Sequence, residues 1–422
     1  MIPPCIEALA IAMHVRPQID MAARSDLTTR DPLNAFLDYP DVPVPHADGG
    51  PLAGLTLGVK DIFDIAGYPT GCGNPAKLAV SEPARTTNAA TRTLLDAGAR
   101  FIGKTQTDEF AYSMIGMNAH FPPPVNSRAP ERVSGGSSSG SAAAVAGGIV
   151  DIATGTDTNG SIRAPAAFCG LIGLRTTSGR IALDHTMPLA PSFDTFGWFA
   201  RDIDLYATVG ELLLGEDRHE TPLSRPVRIR ELEALLSGDA ERAAYAAMLD
   251  PVLTVFDRPA PNLAFPGSPG ELFENFKAIQ GYEAWQAHGT FLSGQDRDLV
   301  PGVKERFQYA RSLSSEAAER ARARNLQFQE EFLASFGGDM VLVMPSQPSA
   351  APLKSSSLGE LESFRTRALT LTSIAGLLGC PQITIPLGSV DDAPFGISLL
   401  GPPNSDRALI ALARQVLKAA KD

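Results

Sequence analysis

Leu55-Thr56-Leu57-Gly58-Val59, a helical stretch from about 89 to 97, and Arg100-Phe101-Ile102-Gly103 follow one another along the chain. Short runs rich in β-branched and large apolar residues, bounded by turn formers, read as strands. A helix between two of them implies an α/β sheet. The first run closes on Gly58-Val59-Lys60-Asp61, and a charged residue ending a buried strand stands where active sites of such sheets gather.

Outward from this core, residues 6–13 read as a helix, and Tyr39-Pro40-Asp41-Val42-Pro43-Val44-Pro45 as an extended lead-in. From about 202 to 338 the pattern turns helical, over 231–236, 240–249, 270–288 and 314–336, all without internal proline. Ser314 is placed to cap the last of these, and Gly337-Gly338 to end it in a left-handed conformation. Met340-Val341-Leu342-Val343-Met344-Pro345 then reads as a buried strand, and Pro381 to Pro386 with Phe395 to Leu400 as a strand pair, so the chain returns to the sheet. That return makes the helical zone an insertion within one domain, 1–422. The run 142–149 is apolar but short and rich in Ala and Gly, a helix packed closely against other backbone.

With 44% hydrophobic and 20% charged residues the chain is neither disordered nor fibrous. Its 36 Lys plus Arg against 47 Asp plus Glu give a net charge of −11, which repels a phosphate backbone and argues against nucleic acid as a partner. Cys5, Cys72, Cys169 and Cys380 form no CxxC pair, the pattern of reduced thiols, so the expected compartment is the cytoplasm. Met1 to Cys5 lacks the basic start and continuous apolar stretch of a secretion signal, so none is expected, and no apolar run approaches the roughly 20 residues that span a bilayer.

Chemistry concentrates in Gly135-Gly136-Ser137-Ser138-Ser139-Gly140-Ser141 and Gly155-Thr156-Asp157-Thr158-Asn159-Gly160-Ser161-Ile162-Arg163. A glycine-rich loop before a helix suggests a phosphate cradle, but the lysine of GxxxxGK[ST] is missing. The alternative is that the two loops face each other and serines react. A serine hydroxyl needs a base, and none of His14, His46, His120, His185, His219 and His288 lies in a triad motif. A buried, neutral lysine serves instead, and Lys60 follows an apolar run. Taken alone, Lys60 reads as a surface lysine at a strand end; the two distant loops reverse that. Asp61 and Asp64 are read as turn-stabilising rather than metal-ligating, and Cys169 as packing.

The block Gly58-Val59-Lys60-Asp61-Ile62-Phe63-Asp64, the glycine/serine loop, and the Asp157-to-Arg163 turn running on to Pro165, Phe168-Cys169-Gly170 and Gly173-Leu174-Arg175 closely resemble the amidase signature family of serine hydrolases. The resemblance runs from about 51 to 413. It implies a central mixed β-sheet flanked by helices on both faces, a catalytic core over 51–201 and a substrate-pocket insertion over 202–338. Residue by residue it implies Lys60 as catalytic lysine, Ser137 as a bridging serine held through a cis peptide bond, and Ser161 as nucleophile. The backbone amides of Thr158, Asn159, Gly160 and Ser161 would form the oxyanion hole. Ser138 would support the relay by hydrogen bonding, and Asp157 and Arg163 would brace the turn, while Ser139 and Ser141 stay structural. No cofactor and no metal are implied. A small-molecule amide is the expected partner, nucleic acid and membrane are not, and a homodimer is the one assembly kept open.

Two departures bear on substrate. Asn159 stands where the commoner pattern has glycine; asparagine tolerates positive φ, so the turn survives and its side chain is free to touch substrate. Phe121-Pro122-Pro123-Pro124-Val125-Asn126-Ser127 replaces a glycine-containing stretch. Asp108 to Ser113, Asn118-Ala119-His120 and Pro191 to Arg201 look most like the short branch that includes indole-3-acetamide hydrolases, which suggests a small primary amide, aromatic ones included. Phe273, Phe276, Tyr282 and Trp285 are read as core before pocket. Urea, carbamate or carboxybiuret-like hydrolysis, a glutamine-dependent amidotransferase subunit, and a non-catalytic binding protein are the alternatives.

Overall fold

The structure, a computed structural model, describes residues 31–421, and every element below lies from Leu33 onward. The helix expected over 6–13, Cys5 and His14 fall outside the described residues. The strands are β1 (Thr56–Lys60), β2 (Arg100–Thr105), β3 (Ile152–Thr156), β4 (Gly173–Arg175), β5 (Phe196–Ala200), β6 (Arg225–Val227), β7 (Met340–Pro345), β8 (Gln382–Val390) and β9 (Ala393–Leu400). They form a four-stranded sheet ordered β2-β1-β3-β5 and a five-stranded sheet ordered β4-β8-β9-β7-β6. β1 runs parallel to β2 and β3, and β5 returns antiparallel to β3. The α/β class with mixed strands flanked by helices holds, the strands hydrogen-bonded in two ladders. The three residues of β4 pair with β8, and toward β5 the chain is joined through a side chain, Thr176 Oγ1 donating to the Phe196 carbonyl at 3.0 Å.

The helices are α1 (Pro75–Leu78), α2 (Ala89–Asp96), α3 (Ser139–Ala146), α4 (Arg163–Cys169), α5 (Ile203–Leu214), α6 (Arg230–Glu233), α7 (Asp239–Phe256), α8 (Pro269–Leu292), α9 (Val303–Ser312), α10 (Ser315–Ser335), α11 (Leu358–Leu378) and α12 (Asp406–Ala419). α8 packs against α9, α10 and α11, and α12 against α5 and α7. Ser314 caps α10, its side chain accepting from the Ala317 amide. The end of α10 differs from expectation: Phe336 leaves in extended conformation, and neither Gly337 nor Gly338 is left-handed. Neither α9 nor α11 is among the helices expected from the sequence.

α3 is the element that brings the serine loop to the sheet. Its small side chains are buried from Ser139 to Val145, and a Cβ at Gly140 would fall 2.2 Å from the Ala35 carbonyl oxygen. Only glycine permits that approach. Ser141 Oγ lies 2.6 Å from Thr105 Oγ1 and donates to the Thr154 carbonyl at 2.8 Å, which ties α3 to β2 and β3. Among the described residues no helix is long and apolar enough to cross a membrane, and Cys72, Cys169 and Cys380 are free and buried.

Candidate active site

β1 carries Lys60 to its C-terminal end between β2 and β3, where the side chain is 0% exposed. Its ammonium nitrogen lies 2.8 Å from Ser137 Oγ and 3.0 Å from Thr156 Oγ1. Burial holds the Lys60 pKa down to about 7, and the more distant carboxylates of Asp108, Asp157 and Asp194 oppose that shift. A buried amine with two hydroxyl neighbours and no ion pair is poised to be neutral near pH 7. The peptide bond Gly136-Ser137 is cis. The Ser137 carbonyl accepts from the Asp108 amide at 3.0 Å, and a Cβ at Gly136 would fall 2.2 Å from Asp108 Oδ2. Residue 136 must therefore be glycine.

The turn after β3 is organised by one carboxylate. Asp157 accepts from the Gly160 amide at 2.7 Å, from the Ile162 amide at 3.2 Å, and from Arg163 through Nε at 2.9 Å and Nη2 at 2.8 Å. Arg175 Nη1 adds a bond to the Asp157 carbonyl at 2.6 Å. These partners outweigh burial and hold the Asp157 carboxyl far below the usual range. Arg163 reaches on to the Thr372 carbonyl and Gln382 Oε1, so the turn is bolted to α11 and β8.

This arrangement corrects two expectations. Gly160's amide is committed to Asp157, so the donors left without an acceptor among the described residues are the amides of Thr158, Asn159 and Ser161. The Ser138 hydroxyl makes no hydrogen bond to Lys60, Ser137 or Ser161; it reaches the Thr156 carbonyl at 3.4 Å and helps to seat the loop on β3. Ser161 lines an open cleft with Thr158, Asn159, Tyr112, Gln280, Arg365 and Leu369. Its hydroxyl makes no hydrogen bond to a described residue, so Lys60 and Ser137 are joined by a hydrogen bond and Ser161 is not linked to them.

Asn159 is also placed differently from the sequence reading. Its φ is not positive; the left-handed residue of the turn is Gly160, at φ 99°. The Asn159 side chain turns to α11, accepting from Thr372 Oγ1 at 2.8 Å. Asn159→Gly removes that bond and adds chain freedom, so we expect a loss of about 1 to 2 kcal/mol in urea unfolding. Because the backbone donors remain, amide turnover should persist. A turnover lost along with unchanged stability would contradict this placement.

Residues that sequence reasoning did not single out complete the site. Thr156 holds Lys60. Asp194 accepts from Thr158 Oγ1 at 2.6 Å and from the Leu189 and Ala190 amides. Tyr112, Gln280 and Arg365 line the cleft. Of the aromatic residues weighed as pocket, Phe276 stacks on Phe193 at 4.3 Å in the core, and none lines the Ser161 cleft. Asp61 forms a buried pair with Lys104 at 3.1 Å, and Asp64 accepts from Thr70 Oγ1 at 2.7 Å. His120 faces Glu109 at 2.9 Å, away from the relay. Among the described residues no three His, Cys, Asp or Glu side chains group as metal ligands.

The family model described as "Amidase" matches residues 39–245. "Amidase 1" of Oryza sativa subsp. japonica is 34% identical over 420 residues, covering 93% of this chain and 97% of that protein. A structure described as "Crystal structure of amidase" superposes with a TM-score of 0.80 at 29% identity, over 94% of each chain. A chain from a complex said to reveal "the evolutionary origins of an s-triazine catabolic enzyme" gives a TM-score of 0.81 at 26% identity, over 94% of this chain and 93% of that one.

Proposed function

The chain belongs to the amidase family and is an amide hydrolase, and from that premise we propose that it cleaves small amides through an acyl-enzyme on Ser161. The observation that carries this reading is the buried contact of Lys60 Nζ with Ser137 Oγ at 2.8 Å. Neutral Lys60 takes the Ser137 proton while Ser137 takes that of Ser161, and Ser161 Oγ adds to the amide carbonyl. The new oxyanion faces the amides of Thr158, Asn159 and Ser161. Collapse breaks the carbon–nitrogen bond and returns the proton to the leaving amine. Water then repeats the sequence on the ester, freeing the carboxylate and Ser161. The second leg, Ser161 to Ser137, closes when substrate fills the cleft, since catalytic hydrogen bonds tighten in the complex.

The cleft at Ser161 is narrow, lined by Tyr112, Gln280, Arg365 and Leu369, which supports a small acyl group. Fluorophosphonate labelling tests the nucleophile: Ser161 should be the modified residue. A labelled protein with Ser161 untouched would remove the assignment.

The pH profile tests the base. Activity needs the neutral amine, so kcat/KM should rise through the Lys60 pKa of about 7 and level off above it. Histidine titrates in the same range, so the position of the limb alone identifies nothing. Its persistence in His120→Ala is the expected result, and its disappearance there would replace lysine by histidine. Stability follows with a definite sign. Between about 7 and lysine's ordinary 10.5 the unfolded chain binds a proton that folded Lys60 does not. Stability from this group therefore rises with pH across that window, and the rise should be missing in Lys60→Met.

A further inference from the structure

The relay creates a charge inside the protein. When neutral Lys60 takes the Ser137 proton, the product is an ammonium at the buried end of β1, touched by two hydroxyls and by no carboxylate. A cation withdrawn from water is costly unless a counter-charge replaces the lost solvation. Three carboxylates face Lys60 from beyond contact range, Asp108 ahead of Asp157 and Asp194. Two of them are already committed. Asp157 is paired with Arg163 and Arg175, and both oxygens of Asp194 accept hydrogen bonds, from Thr158 Oγ1 and from the Leu189 and Ala190 amides. Asp108 is the exception. It is buried, its Oδ2 accepts from the Gly116 amide at 3.0 Å, and its Oδ1 makes no hydrogen bond to a described residue. The other groups that face it are the Ser113 hydroxyl on its own loop, Lys60 from β1 and Arg306 from α9.

The same residue grips the relay through its backbone. Its amide donates to the Ser137 carbonyl at 3.0 Å, while its Oδ2 packs on Gly136 so closely that a Cβ there would fall 2.2 Å away. The Gly136 amide donates in turn to the Met114 carbonyl at 2.9 Å, and a Cβ at Gly116 would fall 2.3 Å from the Gly135 carbonyl oxygen. The loop 108–116 and the serine loop therefore interlock, with the Asp108 carboxylate fixed between them. A charge held in place needs no reorganisation when the proton arrives. Burial pushes the Asp108 carboxyl up, and the Gly116 amide and then Lys60 pull it back, so acid and amine titrate as a pair.

We propose that Asp108 is a positioning residue of the relay: its amide fixes the Ser137 carbonyl, and its carboxylate is the counter-charge for the ammonium that Lys60 becomes when the proton arrives from Ser137. Asp108 neither gains nor loses a proton in that step. It stabilises the charge-separated state from a distance, and the neutral resting amine gains nothing from it. This rests on the reading of Lys60 as the base that activates Ser161 and adds one residue to it.

The test follows the rate at which a fluorophosphonate probe labels Ser161 as pH is varied, in wild type, Asp108→Asn and Asp108→Ser, with the fold of each checked by circular dichroism. Asparagine keeps the shape and an acceptor for the Gly116 amide but removes the charge; serine also relieves the packing on Gly136. Wild type should show a rising limb near the Lys60 pKa of about 7. Losing the anion favours the neutral amine, so both variants should show that limb about one pH unit lower. Their plateau should fall on the order of 10-fold, because the amine is then the weaker base. A lower plateau with the limb in place would make Asp108 structural only and overturn the proposal. A limb moved upward, or loss of the fold in both variants, would overturn it as well. Ammonia release from a panel of primary and N-substituted amides separates this from the hydrolase reading. If the limb shifts in labelling but wild type cleaves no amide, the Asp108 assignment stands and the hydrolase reading falls. If amides are cleaved and the limb does not move, the hydrolase reading stands and the Asp108 assignment falls.

Discussion

Ser161→Ala and Lys60→Ala are each expected to reduce amide turnover by on the order of 10⁴-fold or more, with the fold intact by circular dichroism. In a unit of nucleophile and base each loss costs nearly as much as losing all, because neither group works without the other. The structure gives this a physical form. Among the described residues Lys60 is the one amine hydrogen-bonded to Ser137, at 2.8 Å, and with it gone no described group within hydrogen-bond reach of Ser137 Oγ can take its proton. Ser137→Ala should behave differently. It leaves Lys60 held by Thr156 at 3.0 Å and opens space for a water to carry the proton, so a residue of activity, on the order of 1% or less, should survive. Initial rates of ammonia release, with active sites counted by fluorophosphonate labelling, separate the three variants. Near-normal turnover in Lys60→Ala would end the relay.

What the sequence disclosed and what it hid divide along the distance over which each feature is built. Lys60, Ser137 and Ser161 sit in short motifs, and the Ser161 turn needs its own glycine, Gly160, for its φ of 99°. The strand–helix–strand start of the sheet was legible for the same reason. Arg365, Thr372 and Gln280 come from α11 and α8, and no spacing in the chain announces that they will face residues 158–161. α11 itself was missed because its C-terminal half is buried all round, from Thr370 to Leu378, so it shows no amphipathic period. A readable signal existed at its start, the Ser357–Glu360 capping box. Asn159 was misplaced by the opposite error, a backbone argument applied to a residue whose role is a side-chain bond to Thr372.

The turn that carries Ser161 should prove as sensitive to its carboxylate as to its nucleophile. Asp157→Ala removes the acceptor for the Gly160 amide and for both arms of Arg163, and it leaves the Arg163 and Arg175 guanidiniums buried, each with a 0% exposed side chain. Breaking a buried pair by deleting one partner costs about 3 to 5 kcal/mol, because the orphaned charge stays in place. Here two cations are orphaned, so the expected loss lies at the upper end, measured as a lower urea midpoint. Activity should fall too, since the Gly160 amide then swings free and the three donors lose their common aim. Asp157→Asn keeps one acceptor oxygen but no charge, and should be intermediate in both measurements. Acid should not reproduce the effect in mild conditions. Asp157's pKa is depressed in the folded chain, so its contribution is whole above the ordinary carboxylate range near pH 4 and is lost only as pH falls below it. An Asp157→Ala protein with wild-type stability and wild-type turnover would show that the arginines, rather than the carboxylate, hold the turn.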